Sequence, residues 1–300
     1  MQREKTMSKI LVTGASGKLG GLVIENLIAK QGVAPADIVA GTRDPSKLSA
    51  LVAKGVEARK VDFDDPASLE AAFKGIDRLL IVSTDELATP GKRLVQHKAA
   101  VEAAKKAGVG RLFYTSLPNP DISKVTFAPD HFGTEEAIKA TGLPYTFFRN
   151  SWYMENLFMA LPAALGSGSW YTSSGQGKIG HISRADIAKA IAGALAKPVS
   201  ENAIYTLTGE KTYTTEEIAA LVREVTGRPL AVVHVTDEQL AAGMAGAGVP
   251  APFIPTFVSF DTNTREGLFD INNDEATKLS GEKLVSLKDF LIANKAALGA

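Results

Sequence analysis

Gly14, Gly17 and Gly20 stand three residues apart, directly behind a short apolar run, Ile10-Leu11-Val12. In front of them Leu19, Leu22, Val23, Leu27 and Ile28 recur along one side of a helix. Strand, glycine turn and helix in that order make an anion site. A turn without side chains lets the backbone approach a pyrophosphate, and the helix N-terminus offers free N–H groups to its charge. The spacing is G-x-x-G-x-x-G rather than the strict dinucleotide fingerprint G-x-G-x-x-G, so the assignment rests on context: the glycines follow a strand, open a helix and lie early in the chain. The alternative is a tight strand–helix turn that holds no ligand.

The residues that end the following strands say what such a site would take. After the second strand comes Gly41-Thr42-Arg43, with Asp44 one step later. A carboxylate at that place would accept from both ribose hydroxyls and favour NAD. Arg43 instead offers a planar fork suited to a 2′-phosphate, with Lys47 one helical turn on. NADP(H) is therefore expected over NAD(H), the alternative being a solvated arginine beside Asp44. Asp62 and Phe63 end the third strand, placed either to meet an adenine ring or to cap the helix at Pro66. Ser83, Thr84 and Asp85 end the fourth and should run along the middle of the cofactor. Tyr114, Thr115 and Ser116 end the fifth, near the nicotinamide. Asn150, Trp152, Tyr153 and Asn156 follow the sixth, where an asparagine can fix an amide or carbonyl and aromatic rings can floor a flat acceptor. Packing between two lobes is the competing use of those rings.

These positions require a doubly wound parallel sheet, and the chain has the alternation that builds one. Strands are expected at Ile10–Thr13, Ile38–Gly41, Glu57–Val61, Arg78–Val82, Leu112–Thr115 and Tyr145–Arg149. Helices are expected at Lys18–Lys30, Ser46–Lys54, Pro66–Phe73, Lys92–Ala107 and Asp130–Ala140. Asp65 and Pro66 suit a helix start, and Gly108 and Gly142 suit helix ends. Beyond Arg149 the rhythm breaks. Trp152–Leu165 reads as helix, then short strands at Trp170–Thr172, Gly177–Ile182 and Ala203–Thr208 alternate with helices at Arg184–Ala196 and Thr215–Thr226. Leu230–Val235 reads as a strand, Asp237–Pro255 as helix and loop, and Ser286–Asn294 as a last helix. The fold class is thus α/β, a Rossmann-type domain over residues 8–150 with a smaller mixed α/β substrate lobe over 151–300. That lobe is expected to fold back over the carboxyl edge of the sheet.

The whole-chain figures narrow the function classes. The 300 residues carry 33 lysines and arginines against 33 aspartates and glutamates, so net charge points to neither a nucleic-acid nor a membrane surface. With no cysteine there is no disulfide framework, thiolate nucleophile or iron–sulfur cluster. Four scattered histidines without carboxylate spacing suggest no metal site. Of these, His97 reads as surface, beside Lys98 and Glu102. Asp186 is expected to anchor a helix start, and Thr215–Thr226 to present a solvated face. The polar stretch Met1–Thr6 lacks the apolar centre of a signal peptide and reads as an extended start before Met7. A cytoplasmic monomer or homodimer is the expectation.

TGASGKLG, the arginine of GTRDPSKL, YTSL and FFRNSWYMENL together resemble the NmrA-like, atypical short-chain dehydrogenase/reductase family, over a stretch from about Lys9 to the end. Within that family the likeness runs to flavin- and zinc-independent quinone reductases and to triphenylmethane and azo dye reductases. The resemblance implies an NADPH-dependent two-electron reductase acting on a quinone or similar conjugated acceptor, with neither flavin nor metal. It also implies that Gly14, Ala15, Ser16, Gly17, Lys18 and Leu19, with Arg43, Ser83–Asp85 and the stretch from Asn150, hold the cofactor. The Y-x-x-x-K pair of most short-chain dehydrogenases is missing. His131 and Glu135 open the helix after the fifth strand instead, so His131, Tyr114 and Ser116 stand as candidate proton donors. Quinone reduction also proceeds with water as the acid. NmrA-like proteins include NADP sensors that regulate a partner without turnover, and the missing motif fits that alternative. A third reading is an isomerase or dehydratase with tightly held cofactor.

Overall fold

The computed structural model describes residues 8–198 and 201–298. Met1–Thr6, the expected extended start, and Met7 lie outside them.

The first half alternates as the glycine turn requires: β1 (Ile10–Val12), α1 (Lys18–Ala29), β2 (Ile38–Thr42), α2 (Ser49–Val52), β3 (Glu57–Lys60), α3 (Pro66–Phe73), β4 (Arg78–Ile81), α4 (Lys92–Ala107), β5 (Arg111–Ser116), α5 (Ala128–Ala140) and β6 (Tyr145–Asn150). The second half contributes α6 (Leu161–Ser167), β7 (Ser169–Thr172), α7 (Arg184–Ala196), β8 (Ala203–Leu207), α8 (Thr215–Thr226), β9 (Ala231–His234), α9 (Asp237–Gly246), α10 (Ile254–Arg265), α11 (Glu275–Ser280) and α12 (Leu287–Ala293). Seven strands form one parallel sheet in the order β3-β2-β1-β4-β5-β6-β8. The order reverses between β1 and β4, so the glycine turn sits at the crevice where such sheets bind ligands. The Rossmann-type α/β architecture is as expected. The seventh strand comes from beyond residue 150, pairing Asn150 with Leu207 at its end.

Strand alternation divides the core. Val12, Ala40, Leu80, Phe113, Phe148 and Leu207 face α1 and α7, while Leu11, Val39, Leu79, Leu112, Tyr114 and Phe147 face α3, α4 and α5. A third cluster gathers Met154, Leu161, Ile218, Val222, Phe269 and Leu291 into the core of the second half. Asp186 ties it to the rest. Its carboxylate accepts from the Ser183 hydroxyl at the start of α7 and from the Val285 N–H, 99 residues away in the chain. Asp65 caps α3, with Pro66 in the first turn, and Gly108 ends α4 at φ 70°.

Several expected elements differ. Ser46–Lys54 is a 3-10 turn from Pro45 to Leu48 followed by the four-residue α2. Trp152–Leu165 is a 3-10 segment, Met154–Met159, then α6, because Pro162 lacks an N–H and starts a new helix rather than continuing one. Gly177–Ile182 forms no strand: only Ile179 and Ile182 make single bridges, to Tyr213 and Tyr153. Asp237–Pro255 is helix and loop as expected, α9 followed by an irregular stretch with a 3-10 turn at Ala251–Phe253, but sequence patterns give no sign of α10 behind it, whose Val, Thr, Ser and Phe are weak helix formers held by tertiary contacts.

Candidate functional site

The glycine turn is built by close approach. Gly14 takes φ 63°, and a Cβ on Gly20 would lie 2.4 Å from the Gly14 carbonyl oxygen. Helix α1 can therefore start against the strand only with hydrogen at that position. The Ala15 N–H donates to the Gly41 carbonyl and the Ser16 hydroxyl meets Thr42 Oγ1 at 2.7 Å, locking the turn to the end of β2. No side chain caps α1 and its first turn carries no acid, so its leading N–H groups stay available to an anion. Lys18 is exposed and Leu19 buried.

Arg43 is exposed at the end of β2 and forms no ion pair among the described residues. Asp44 is engaged otherwise: its carboxylate accepts from the Ser46 N–H and hydroxyl, which hold its pKa below the ordinary carboxylate value. Lys47 is exposed one turn on. The free group here is thus the cation. Asp62 accepts from the Asp64 N–H within its own loop, and the half-buried Phe63 meets the His97 ring edge-on at 6.4 Å. Thr115 Oγ1 accepts from the Ser83 N–H at 2.8 Å, so Thr115 shapes the end of β4. Ser83 and Thr84 are partly covered and Asp85 is exposed.

At the carboxyl ends of β5 and β6 stand polar atoms that the chain leaves unanswered. Ser116 is 4% exposed and Asn150 7%, and among the described residues neither the Ser116 hydroxyl nor either atom of the Asn150 amide has a partner in good hydrogen-bonding geometry, the Tyr153 hydroxyl being the group close enough to interact with the amide. Buried polar groups are rarely left so without a ligand or water to meet them. Farther along, Trp152 packs on Phe260 of α10 at 4.1 Å and on Phe269 at 5.8 Å. The Arg184 guanidinium lies 4.8 Å from the centre of the Tyr153 ring and donates to Asn156 Oδ1. These three residues join the sheet edge to the second half of the chain.

Between α4, α5 and β5 lies a buried network that hydropathy patterns conceal. Arg93, Gln96, His97, Ala100 and Ala104 fall on the inward face of α4, and His131, Thr134, Glu135 and Ile138 on that of α5. His97, expected at the surface, is fully buried against Phe63, Thr84, Tyr114 and Thr134, and its face of α4, made of polar and small residues, carries no apolar stripe to reveal that. The hydrogen-bond partners set the tautomers. Arg93 has only donors, so His131 Nε2 accepts at 2.9 Å and Nδ1–H donates to the Tyr114 hydroxyl at 2.8 Å. The Thr84 N–H donates to His97 Nε2 at 3.0 Å, so His97 Nδ1–H donates to Thr134 Oγ1 at 3.0 Å. Burial, helped by the Arg93 charge, drives the His97 pKa down to about 3 and that of His131 well below the ordinary value. Burial likewise pushes the Tyr114 hydroxyl upward. His131 is thus neutral with both ring nitrogens committed, which leaves it no proton to offer a substrate at neutral pH. Glu135 turns to Arg149, with bonds of 3.0 and 2.7 Å. Arg93 and Gln96 escaped sequence reasoning because charged and amide residues in an amphipathic helix are normally assigned to its outer face.

A separate open depression of about 480 Å³ includes Ser173, His234, Asp237 and Arg265. Its arginine is already paired with Asp237, and it lies away from the glycine turn. Among the described residues no group of histidines and acids could hold a metal ion, and no helix is long and apolar enough to cross a membrane.

Comparison with known proteins gives a consistent neighbourhood. The family model described as the NmrA-like family matches residues 6–291. The chain is 35% identical over 281 residues to quinone oxidoreductase 2 of Escherichia coli (strain K12), covering 93% of this chain and 96% of that protein. It is 30% identical over 297 residues to the NAD(P)H azoreductase of Xenophilus azovorans, covering 97% and 99%. Its fold superposes with a TM-score of 0.87 on the crystal structure of the Citrobacter sp. triphenylmethane reductase complexed with NADP(H), at 35% identity over 96% of this chain and all of that one.

Proposed function

The chain belongs to the NmrA-like family, and on that premise we propose that it reduces a quinone or a related conjugated acceptor with NADPH. It is an NADPH-dependent reductase, and the finer reading concerns which groups hold what. The observation that carries it is the set of unanswered polar atoms, Ser116 Oγ and the Asn150 amide, buried at the strand ends beyond the glycine turn. In this reading the named residues would hold a dinucleotide along its whole length. Gly14–Leu19 would cradle the pyrophosphate, Arg43 and Lys47 the 2′-phosphate, and Asp62 and Phe63 the adenine. Ser83–Asp85 and Thr115 would line the middle, with Asn150 at the carboxamide. When bound, the cofactor supplies a hydride from nicotinamide C4.

The protein's part is proximity, dryness and charge. In this reading residues 8–150 would carry the cofactor groups, and the chain beyond 150, which also supplies β8 and α7 to the main sheet and its core, would bring Trp152, Tyr153 and Asn156 to the same edge. Tyr114 and His131 act through the network that holds them, and Ser116 is the one free hydroxyl at the sheet edge among the three candidate donors. The aromatic cluster after β6 favours turnover over the sensor alternative, because a sensor has no need of an acceptor surface. The test is NADPH oxidation, followed at its absorbance band, against benzoquinone, naphthoquinone, an azo dye, a triphenylmethane dye and a simple ketone. Oxidation by the conjugated acceptors and not the ketone is expected. Tight NADPH binding with no oxidation by any of them would favour the sensor.

A further inference from the structure

Arg93 is a buried cation that no carboxylate meets directly among the described residues. It rises from the first turn of α4, is 5% exposed, and forms no ion pair among the described residues. One terminal nitrogen donates to His131 Nε2, and the guanidinium lies 5.0 Å from the centre of the Phe127 ring. Its Nε–H is sealed from water and has no acceptor. The ionisable groups around it are Tyr114 of β5, Asp130 of α5, Tyr153 after β6 and Asp85 after β4, which sets it at the carboxyl edge of the sheet. Asp130 and Asp85 balance the charge only from a distance, a buried charge without a direct partner is costly, and two neutral histidines, a tyrosine and a threonine are ordered behind it. An unmet donor on a permanent cation calls for an anion that appears only during function.

We propose that Arg93 meets the negative charge that forms on the acceptor, and that it thereby selects neutral acceptors that become anions on taking a hydride, quinones above all, over cationic dyes. The proposal rests on the reductase reading above. A hydride brings two electrons and one hydrogen. Added to a neutral quinone it gives a hydroquinone monoanion, with the nicotinamide C–H bond broken and the nicotinamide oxidised in exchange. One proton from water completes the hydroquinone. Added to a triarylmethyl cation, the same hydride gives a neutral product and no proton is taken up. Near Arg93 the acceptor charge goes from zero to −1 in the first case and from +1 to zero in the second. The guanidinium stabilises the first transition state and repels the cationic reactant of the second.

The test compares wild type with Arg93→Gln and Arg93→Lys, in the presence of NADP+, using 4-nitrophenol as a coloured phenolate probe of the acceptor site. Wild type should bind the phenolate roughly tenfold to a hundredfold more tightly than Arg93→Gln, as for a charge-assisted hydrogen bond, with Arg93→Lys in between. In turnover, kcat/KM for naphthoquinone should fall by a similar factor while that for a cationic triphenylmethane dye holds or rises and KM for NADPH stays put. Thermal unfolding checks that both variants fold, and Arg93→Lys keeps the charge if the glutamine does not. Equal phenolate affinity in wild type and a folded Arg93→Gln overturns the proposal, as does a parallel loss with both acceptors. If none of the acceptors makes wild type oxidise NADPH, the reductase reading fails instead, and phenolate binding still reports on Arg93.

Discussion

Replacing Arg43 by alanine separates the two nicotinamide cofactors. The guanidinium is solvent-exposed and unpaired, while the neighbouring carboxylate of Asp44 is engaged by Ser46. The cation is therefore the group left to meet a 2′-phosphate, and no carboxylate is free there to favour a 2′-hydroxyl. A charge-assisted hydrogen bond contributes about 1.5–3 kcal/mol, and exposure argues for the lower end because water screens the pair. About 1.4 kcal/mol is a factor of ten, so Arg43→Ala should raise KM for NADPH roughly tenfold. KM for NADH should scarcely move, since the bond at stake is to a phosphate that NADH lacks. Lys47 remains to hold part of the phosphate, so Arg43→Ala with Lys47→Ala should lose more than either alone. Asp44→Asn is the control: if that carboxylate held a ribose, NADH use would suffer, and the expectation is that it does not. Initial rates with both cofactors at a fixed quinone concentration provide the assay. Equal rises for NADPH and NADH, or none for either, would refute the reasoning.

Other perturbations test other parts of the structure. Gly20→Ala places a Cβ 2.4 Å from the Gly14 carbonyl oxygen, so it should shift the turn and weaken NADPH binding by at least tenfold at a stability cost of about 1–3 kcal/mol; an unaltered dissociation constant in calorimetry would show that the turn is not the cradle. Glu135→Gln leaves Arg149 without its buried partner and should cost about 2–4 kcal/mol, discounted because Arg149 keeps some exposure, as read from urea midpoints. His97 and His181 have folded pKa values lowered by burial to about 3 and about 4, against 6.5 unperturbed. Below pH 6.5 the unfolded chain takes up protons that the folded one refuses, so each histidine removes ~1.4 kcal/mol of stability per pH unit as pH falls toward 4. His97→Gln should flatten that slope by one proton's worth, and parallel slopes for variant and wild type would contradict the burial argument.

The first half of the fold was legible because each element carries its own signal. Ile10-Leu11-Val12 is a doubly buried strand by composition, Asp65-Pro66 marks a helix start, and Gly108 marks an end. β8 was recognisable as a strand, but nothing local says that Ala203–Leu207 joins β6 rather than a second sheet; that pairing is a tertiary choice. Candidate cofactor groups could be put forward because glycine spacing and the residue ending a parallel strand carry chemical meaning. The network behind them could not. Arg93 and His97 are polar residues on a buried helix face, and their burial depends on Tyr114, His131 and Thr134 arriving from other elements. The His131/Glu135 spacing correctly put both on one face, yet Glu135 answers Arg149, which sequence spacing cannot foresee.

The most direct test of the central claim is a single turnover. The protein, loaded with one equivalent of NADPH, is mixed rapidly with naphthoquinone, and the reduced nicotinamide absorbance is followed with ordinary and C4-deuterated cofactor. The account predicts stoichiometric loss of the band, slower with deuterium at the transferred position. Bound NADPH that stays reduced in the presence of the quinone would contradict it.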